Sequence, residues 1–128
     1  MKVKIYQIKN FNDIYEKIKN TTLPIKVGYS LAKLAACAQK EMDIYQSQLN
    51  KIIQEYGARD ENDQLMQTED GTGVKIQEDK IQECQEKLNE LLTLEVEIDI
   101  KPISLNALEN IELSLNEITS LSPFLIEE

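Results

Sequence analysis

The sequence predicts an α+β fold that is mainly α, and the arrangement of its apolar residues carries this prediction. A long segment ending at Tyr56 has apolar residues at heptad spacing, and a shorter segment from Ile81 repeats it. Apolar and acidic residues alternate strictly over 94–100, which is typical of a strand with one buried face. We therefore expect an antiparallel helical hairpin with a β-hairpin at its tip. A small sheet, formed by the N-terminal strand and the strand near residues 94–100, and short C-terminal helices complete the predicted fold.

The first elements are assigned from local residue types. "KVKIYQI" is rich in β-branched and aromatic residues, so residues 2–8 are predicted as a strand. A short helix is predicted from Asn12 to Lys19, with Asn12 as its N-cap. The segment "NTTLP" ends that helix, and Pro24 suits the first position of the next one.

The long helix is predicted from Pro24 to Tyr56, with Gly57 as its C-cap. Its apolar seam advances in steps of four and three residues along Leu31, Ala35, Ala38, Met42, Tyr45, Leu49, Ile52 and Tyr56. A second seam marks the partner helix and consists of Ile81, Cys84, Leu88 and Leu91. Between the two helices, the dipeptide Asp70-Gly71 favours a tight turn, which predicts the β-hairpin at the tip.

The segment "LEVEIDIKP" is predicted as a strand that Pro102 ends. Pairing with the first strand would set Lys2 and Lys4 against the acidic residues of 94–100 and neutralise the basic start of the chain. The tail contains a local repeat, "SLNAL" at 104–108 and "SLNEI" at 114–118. Each copy begins with a serine that can cap a short helix, and Ser114 with Glu117 forms a capping-box pattern.

Composition narrows the class of protein. The chain has 128 residues, which suits a single domain over 1–128, and its net charge is −9. No apolar run is long enough to span a bilayer and no signal peptide opens the sequence, so we expect no membrane contact and a cytoplasmic location. The two cysteines are expected to be reduced thiols.

The acidic, glycine-containing stretch between the helices was tested against two binding motifs. A calcium loop that starts at Asp60 would need glycine at its sixth position and glutamate at its twelfth, where the chain has Leu65 and Gly71. A phosphate loop would need Gly-Lys-Ser/Thr, which "DGTGVKI" lacks. The chain also has no histidine. We therefore predict no catalytic, metal-binding or cofactor-binding residues, no cofactor and no enzymatic activity.

Two surfaces are candidates for binding a partner protein. One is the acidic stretch between the helices, with Asp60, Glu61, Asp63, Glu69 and Asp70. The other is the small-residue segment "SLAKLAACA", with Ala32 and Ala36, although the sheet and C-terminal helices are expected to pack on this segment. The acidity of the chain and its lack of a stacking aromatic cluster argue against a nucleic-acid partner.

Taken together, "LPIKVGYSLAKL", "EMDIYQSQLNKIIQEYGARDEN", "VKIQEDKIQECQEKLNELLTLEVEI", "ENIELSLNEI" and "LSPFL" resemble small proteins encoded by phages and prophages of Gram-positive bacteria. The resemblance covers nearly the whole chain and implies phage provenance, without assigning a role to any residue.

The functional hypothesis that follows is a non-enzymatic phage interaction protein that binds and inhibits a host or anti-phage defence protein in the host cytoplasm. One alternative is a structural or assembly component of the virion that self-associates through the heptad seams and the small-residue helix. Another alternative is a protein that sequesters a small ligand between sheet and helices.

Overall fold

The structure is a computed structural model that describes residues 1–109 and 111–127. Asn110 and Glu128, which belong to the predicted domain 1–128, lie outside the described residues. The mainly helical α+β class is confirmed. Contacts divide the chain into two compact units, Met1–Asp43 with Leu94–Glu128 (the terminal unit) and Ile44–Thr93 (the middle unit).

The described elements follow one another in a simple order. They are β1 (Lys2–Lys4), α1 (Ile5–Ile18), α2 (Ile25–Tyr56), α3 (Ile81–Leu92), β2 (Glu95–Glu97), β3 (Ile103–Ser104), α4 (Leu115–Leu121) and β4 (Leu125–Ile126). Short 3₁₀ turns lie at Glu78–Lys80, Leu105–Leu108 and Ser122–Phe124. Helix α2 begins in the terminal unit and ends in the middle unit.

The predicted pairing of the first strand with the strand after α3 is present. β1 and β2 are antiparallel, with Lys2 opposite Glu97 and Lys4 opposite Glu95. Backbone hydrogen bonds extend the pairing at both ends, from Ile5 N to Leu94 O at 3.0 Å and from Ile98 N to Met1 O at 2.8 Å. The charged residues of the two strands therefore face each other in the predicted way, although β2 is shorter than the predicted 94–100.

The prediction of a strand over residues 2–8 and a helix from Asn12 is wrong, because α1 already begins at Ile5. The helix starts early since one face of it is continuously apolar. The buried residues on that face are Ile5, Ile8, Phe11, Ile14 and Ile18. In addition, the Gln7 side-chain oxygen accepts a hydrogen bond from Lys4 N at 2.9 Å. This bond gives a partner to a backbone N–H that has none within the helix, because the N–H groups at a helix start lack a preceding turn.

Helix α2 agrees closely with its prediction and begins one residue after Pro24. Pro24 O accepts the first backbone hydrogen bond of the helix, from Gly28 N at 2.9 Å. Every residue of the predicted seam on α2 is buried or half-buried, and Leu34, which the seam omitted, is only 2% exposed.

The C-terminal segment contains an unpredicted pairing. β3 and β4 are parallel, with Ile103 opposite Leu125 and Ser104 opposite Ile126. The first serine repeat forms a 3₁₀ turn, whereas the second forms α4. The predicted capping box of α4 is confirmed, since Ser114 N donates to a Glu117 carboxylate oxygen at 2.9 Å and Glu117 N donates to Ser114 Oγ at 3.2 Å.

The core of the terminal unit is centred on two phenylalanines from distant parts of the chain. Phe11 on α1 is 0% exposed, Phe124 is 1% exposed, and their rings lie 5.2 Å apart. The buried residues of this core are Val3, Ile8, Phe11, Ile14, Ile18, Leu31, Leu34, Ala38, Ile98, Ile103, Leu108, Leu121 and Phe124.

Phe11→Ala should strongly destabilise the terminal unit, because it removes a fully buried ring and leaves a cavity beside Phe124. The expected loss is about 3–5 kcal/mol in the free energy of unfolding, measured by urea titration with circular dichroism. Phe11→Leu keeps most of the volume and should cost clearly less. Equal stability of wild type and Phe11→Ala would contradict this core.

Helices α1 and α4 are also joined by an ion pair. Lys17 Nζ donates to both carboxylate oxygens of Glu117, at 2.8 and 2.9 Å. The hydrogen bond from Lys17, followed by that from Ser114 N, lowers the pKa of Glu117 from 4.5 to about 2. Because the folded pKa lies below the unfolded one, this stabilisation is present above pH 4.5 and is lost as pH falls towards 2.

Glu117→Gln should therefore lower the melting temperature above pH 4.5, and its difference from wild type should shrink as the pH falls from 4.5 to 2. Thermal unfolding followed by circular dichroism across this range measures the effect. Glu112→Gln, at an exposed position, is the matched control. A Glu117→Gln difference that does not change with pH would show that the ionised carboxylate is not responsible.

Candidate interaction surfaces

The middle unit buries few side chains. Tyr45, Tyr56 and Cys84 are 8%, 3% and 3% exposed, and Lys80 Nζ lies 6.0 Å from the centre of the Tyr56 ring. Burial raises the pKa of the Cys84 thiol, and it also raises the pKa of Tyr56, with a further contribution from the Glu55 carboxylate. A thiol with a raised pKa is a poor nucleophile, so Cys84 has the properties of a small apolar core residue.

The segment between α2 and α3 is organised by a closed cycle of three backbone hydrogen bonds, which we call the hydrogen-bond ring. Ala58 N donates to Lys75 O at 2.7 Å, Lys75 N donates to Met66 O at 2.8 Å, and Met66 N donates to Ala58 O at 2.8 Å. Each of these residues uses both its N–H and its C=O within the ring. As in a closed barrel, the three short segments leave no unpaired edge at these positions.

Three antiparallel residue pairs surround the ring, namely Gly57 with Ile76, Arg59 with Leu65, and Gln67 with Val74. An outer hydrogen bond follows each pair: Gln77 N to Tyr56 O at 3.0 Å, Asp60 N to Gln64 O at 2.9 Å, and Thr68 N to Gly73 O at 2.9 Å. The predicted two-stranded β-hairpin therefore accounts for only part of the arrangement, because three segments pair rather than two.

The glycines of this segment have different roles. Gly71 has φ +73°, so the predicted turn at Asp70-Gly71 uses the left-handed conformation that glycine adopts readily. Gly57 directly follows the last residue of α2, at the predicted C-cap position, and its N–H donates to Ile53 O at 2.8 Å. The position is also closely packed. A Cβ atom on Gly57 would lie 2.6 Å from Ile53 O and 2.6 Å from the Leu65 Cδ2 atom.

The five predicted acidic contact residues are all exposed in this segment, but two of them build its turns. An Asp60 carboxylate oxygen accepts from Asn62 N at 2.9 Å and from Gln64 N at 3.0 Å. An Asp70 carboxylate oxygen accepts from the Thr68 hydroxyl at 2.5 Å, and this bond, followed by the one from Thr72 N, lowers the pKa of Asp70.

The other three acidic residues differ in their surroundings. Asp63 has φ 60°, and its carbonyl oxygen accepts from the Arg59 guanidinium at 3.0 Å. Within the described residues, the side chains of Glu61 and Glu69 make no hydrogen bond or ion pair. Of the five predicted contact residues, Glu61 and Glu69 are therefore the two whose carboxylates are free to meet a partner.

The second predicted surface lies on α2, and both of its residues are accessible. Ala32 and Ala36 are exposed, whereas Leu31, Leu34 and Ala38 point into the core. The sheet and the C-terminal segments pack on this part of α2 as expected, through Leu31, Leu34 and Ala38, and they leave Ala32 and Ala36 exposed.

A cleft of about 620 Å³ lies elsewhere in the terminal unit. This volume falls within the range of small-ligand sites, about 300–1,000 Å³. Its charged lining residues are of both signs: Lys33, Lys101, Glu97 and Asp99. These charges largely neutralise one another and give the cleft no clear preference for an anion or a cation.

Among the described residues, no three histidine, cysteine, aspartate or glutamate side chains are arranged to hold a metal ion. Within the same residues, each helix is too short or too polar to cross a bilayer. Comparisons with protein-family models, curated proteins and solved structures gave no match.

Gly57→Ala should disrupt the hydrogen-bond ring, because the added methyl group overlaps a backbone oxygen that has little room to move. We expect a loss of about 1–3 kcal/mol, as for other overpacked sites. Hydrogen exchange of the amides of Ala58, Met66 and Lys75 should accelerate together. Gly73→Ala is the matched control, since its Cβ would meet nothing closer than 3.9 Å. Unchanged exchange in Gly57→Ala would contradict the ring.

Proposed function

We propose that the protein is a non-enzymatic interaction protein that binds another protein and blocks it. The resemblance to phage-encoded proteins makes a host or anti-phage defence protein the proposed target, and the host cytoplasm the proposed location. The observation that carries the proposal is the pair of unpartnered carboxylates, Glu61 and Glu69, held on the segment that the hydrogen-bond ring organises.

Preorganisation supports this assignment. Ordering a flexible loop on binding costs about 0.5–1.5 kcal/mol for each immobilised side chain, in addition to the cost of ordering its backbone. Here the backbone of the loop is already fixed by the ring, and the turns on either side are closed by Asp60 and Asp70. Binding therefore needs to order little more than the side chains of Glu61 and Glu69.

The charge of this segment indicates the chemistry of the partner. Residues 58–80 contain seven acidic residues and three basic ones. Such a surface favours a partner with exposed lysine and arginine, and it increases the association rate more than the final affinity. In this proposal, α2 and α3 pair in the predicted antiparallel way on either side of the acidic segment.

The proposal is tested by a pull-down from a lysate of a Gram-positive host, followed by purification of the retained protein and measurement of its affinity. We expect one saturable partner whose binding weakens as salt rises, because salt screens exposed charges. Glu61→Lys with Glu69→Lys should reduce the affinity at least tenfold. The measurement is titration calorimetry at two salt concentrations.

The matched control is Asp13→Lys with Glu86→Lys, which changes the net charge equally at exposed positions outside the acidic segment. This control should bind like wild type, apart from a small effect of net charge on the association rate. Equal weakening by both double variants would mean that only net charge matters, and recovery of the bait alone would refute the proposal.

A further inference from the structure

The C-terminal part of the terminal unit contains an apolar groove that the sequence analysis did not identify. It consists of a cavity of about 250 Å³ and another of about 210 Å³ that share Leu105, Ile118 and Leu125 as lining residues. Leu105 and Ile118 are 43% and 41% exposed, so their side chains are open to solvent. Each cavity is smaller than the roughly 300–1,000 Å³ of a typical small-ligand pocket and suits a single large side chain better.

The charge around the groove has one sign. Residues 102–127 contain Glu109, Glu112, Glu117 and Glu127 and no lysine or arginine. Glu117 is paired with Lys17, whereas Glu109 lines the larger cavity and Glu127 the smaller one. The groove is thus an apolar surface with acidic residues at its rim, and it complements an apolar segment flanked by basic residues.

The same unit carries a surface of that complementary kind, the outer face of α2. Ile25 is 90% exposed and Tyr29 is 66% exposed, which is unusual for side chains of this size. Along the same stretch, Lys26, Lys33 and Lys40 are exposed, and residues 25–40 contain no aspartate or glutamate. Ile25 and Tyr29 form the start of a stripe along one side of α2, and the predicted contact residues Ala32 and Ala36 follow at helical spacing and continue it. Their small side chains let a neighbouring surface approach closely.

We infer that the outer face of α2 in one copy of the chain docks into the C-terminal groove of a second copy. Ile25 and Tyr29 are four residues apart, so their Cβ atoms lie about 5–6 Å apart on one side of the helix. The two cavities of the groove adjoin each other and share lining residues, so one cavity can receive Ile25 and the other Tyr29. Lys26 and Lys33 then lie on the flank of the inserted stripe, where they can meet Glu109 and Glu127.

The contact joins different patches on the two copies, which constrains the assembly. Such a contact builds a head-to-tail ring or filament, or it closes a dimer when it is made twice reciprocally. Self-association in this form does not involve Glu61 or Glu69. It is therefore independent of the partner binding proposed above, and either proposal can fail without the other.

Charge reversal on each patch tests the inference. The first variant is Lys26→Glu with Lys33→Glu, and the second is Glu109→Lys with Glu127→Lys; all four positions are exposed. We expect the wild type to associate with rising concentration in light scattering and analytical ultracentrifugation. Each variant alone should associate at least tenfold more weakly, because its docking face and its groove now carry the same sign of charge.

Mixing the two variants provides the decisive measurement. In the mixture, the acidic face of the first variant meets the basic groove of the second, and the unchanged face of the second meets the unchanged groove of the first. An equimolar mixture should therefore regain the wild-type mass. Asp13→Lys with Glu86→Lys should associate like wild type.

A wild type that stays monomeric up to the highest soluble concentration would overturn the inference. So would variants that associate as strongly as wild type, since the contact would then lie elsewhere. A mixture that stays monomeric while the wild type associates would mean that the variants are not complementary, and it would equally overturn the proposed pairing of face and groove.

Discussion

The contact between Phe11 and Phe124 is the interaction on which the terminal unit depends. It joins α1, near the start of the chain, to the segment that follows α4 near its end, with ring centres 5.2 Å apart. A contact between residues so distant in sequence has a high entropic cost of chain closure, and two fully buried rings are among the strongest means of offsetting it. The Lys17–Glu117 ion pair then holds the same two segments together at the surface. The C-terminal groove exists only because this packing places β4 beside β3 and α4.

The middle unit is stabilised differently, because it has few fully buried side chains. Tyr56 and Cys84 provide a small apolar centre at the end of α2 and on α3, and the apolar residues of the loop between them are half-buried or, for Met66, exposed. Its order comes from the main chain, through the hydrogen-bond ring and the turns that Asp60 and Asp70 close. Asp60 and Asp70 are therefore needed to build the loop, and of the five predicted contact residues only Glu61 and Glu69 have unpartnered side chains in the described structure.

The features predicted correctly from the sequence are those encoded by short-range spacing. The seam of α2, the pairing of β1 with β2 and the capping box at Ser114 each follow from residues a few positions apart or from a strict alternation. The early start of α1 was missed because "KVKIYQI" satisfies both a strand and a helix pattern, and burial of Ile5 and Ile8 in the tertiary core decides in favour of the helix. The hydrogen-bond ring and the β3–β4 pairing could not be predicted, since both depend on backbone contacts between distant residues that leave no periodic signal.

The distribution of charge links these findings. In the small sheet, Lys2 and Lys4 lie opposite Glu97 and Glu95, and the Glu97 carboxylate pairs with the N-terminal ammonium of Met1 at 3.0 Å. Two further groups of charges on the terminal unit each have a single sign: the lysines of the outer face of α2 and the glutamates that line the C-terminal groove. At physiological salt, exposed charges more than about 8 Å apart are largely screened, so separated groups of opposite sign contribute little to the stability of one molecule. On contact, their attraction mainly speeds association and orients the two surfaces, whereas burial of the apolar residues beside them provides the affinity. The proposed docking onto another copy would remove Ile25 and Tyr29, beside lysines, and Leu105 and Ile118, beside glutamates, from water, and this burial of apolar surface is its driving force.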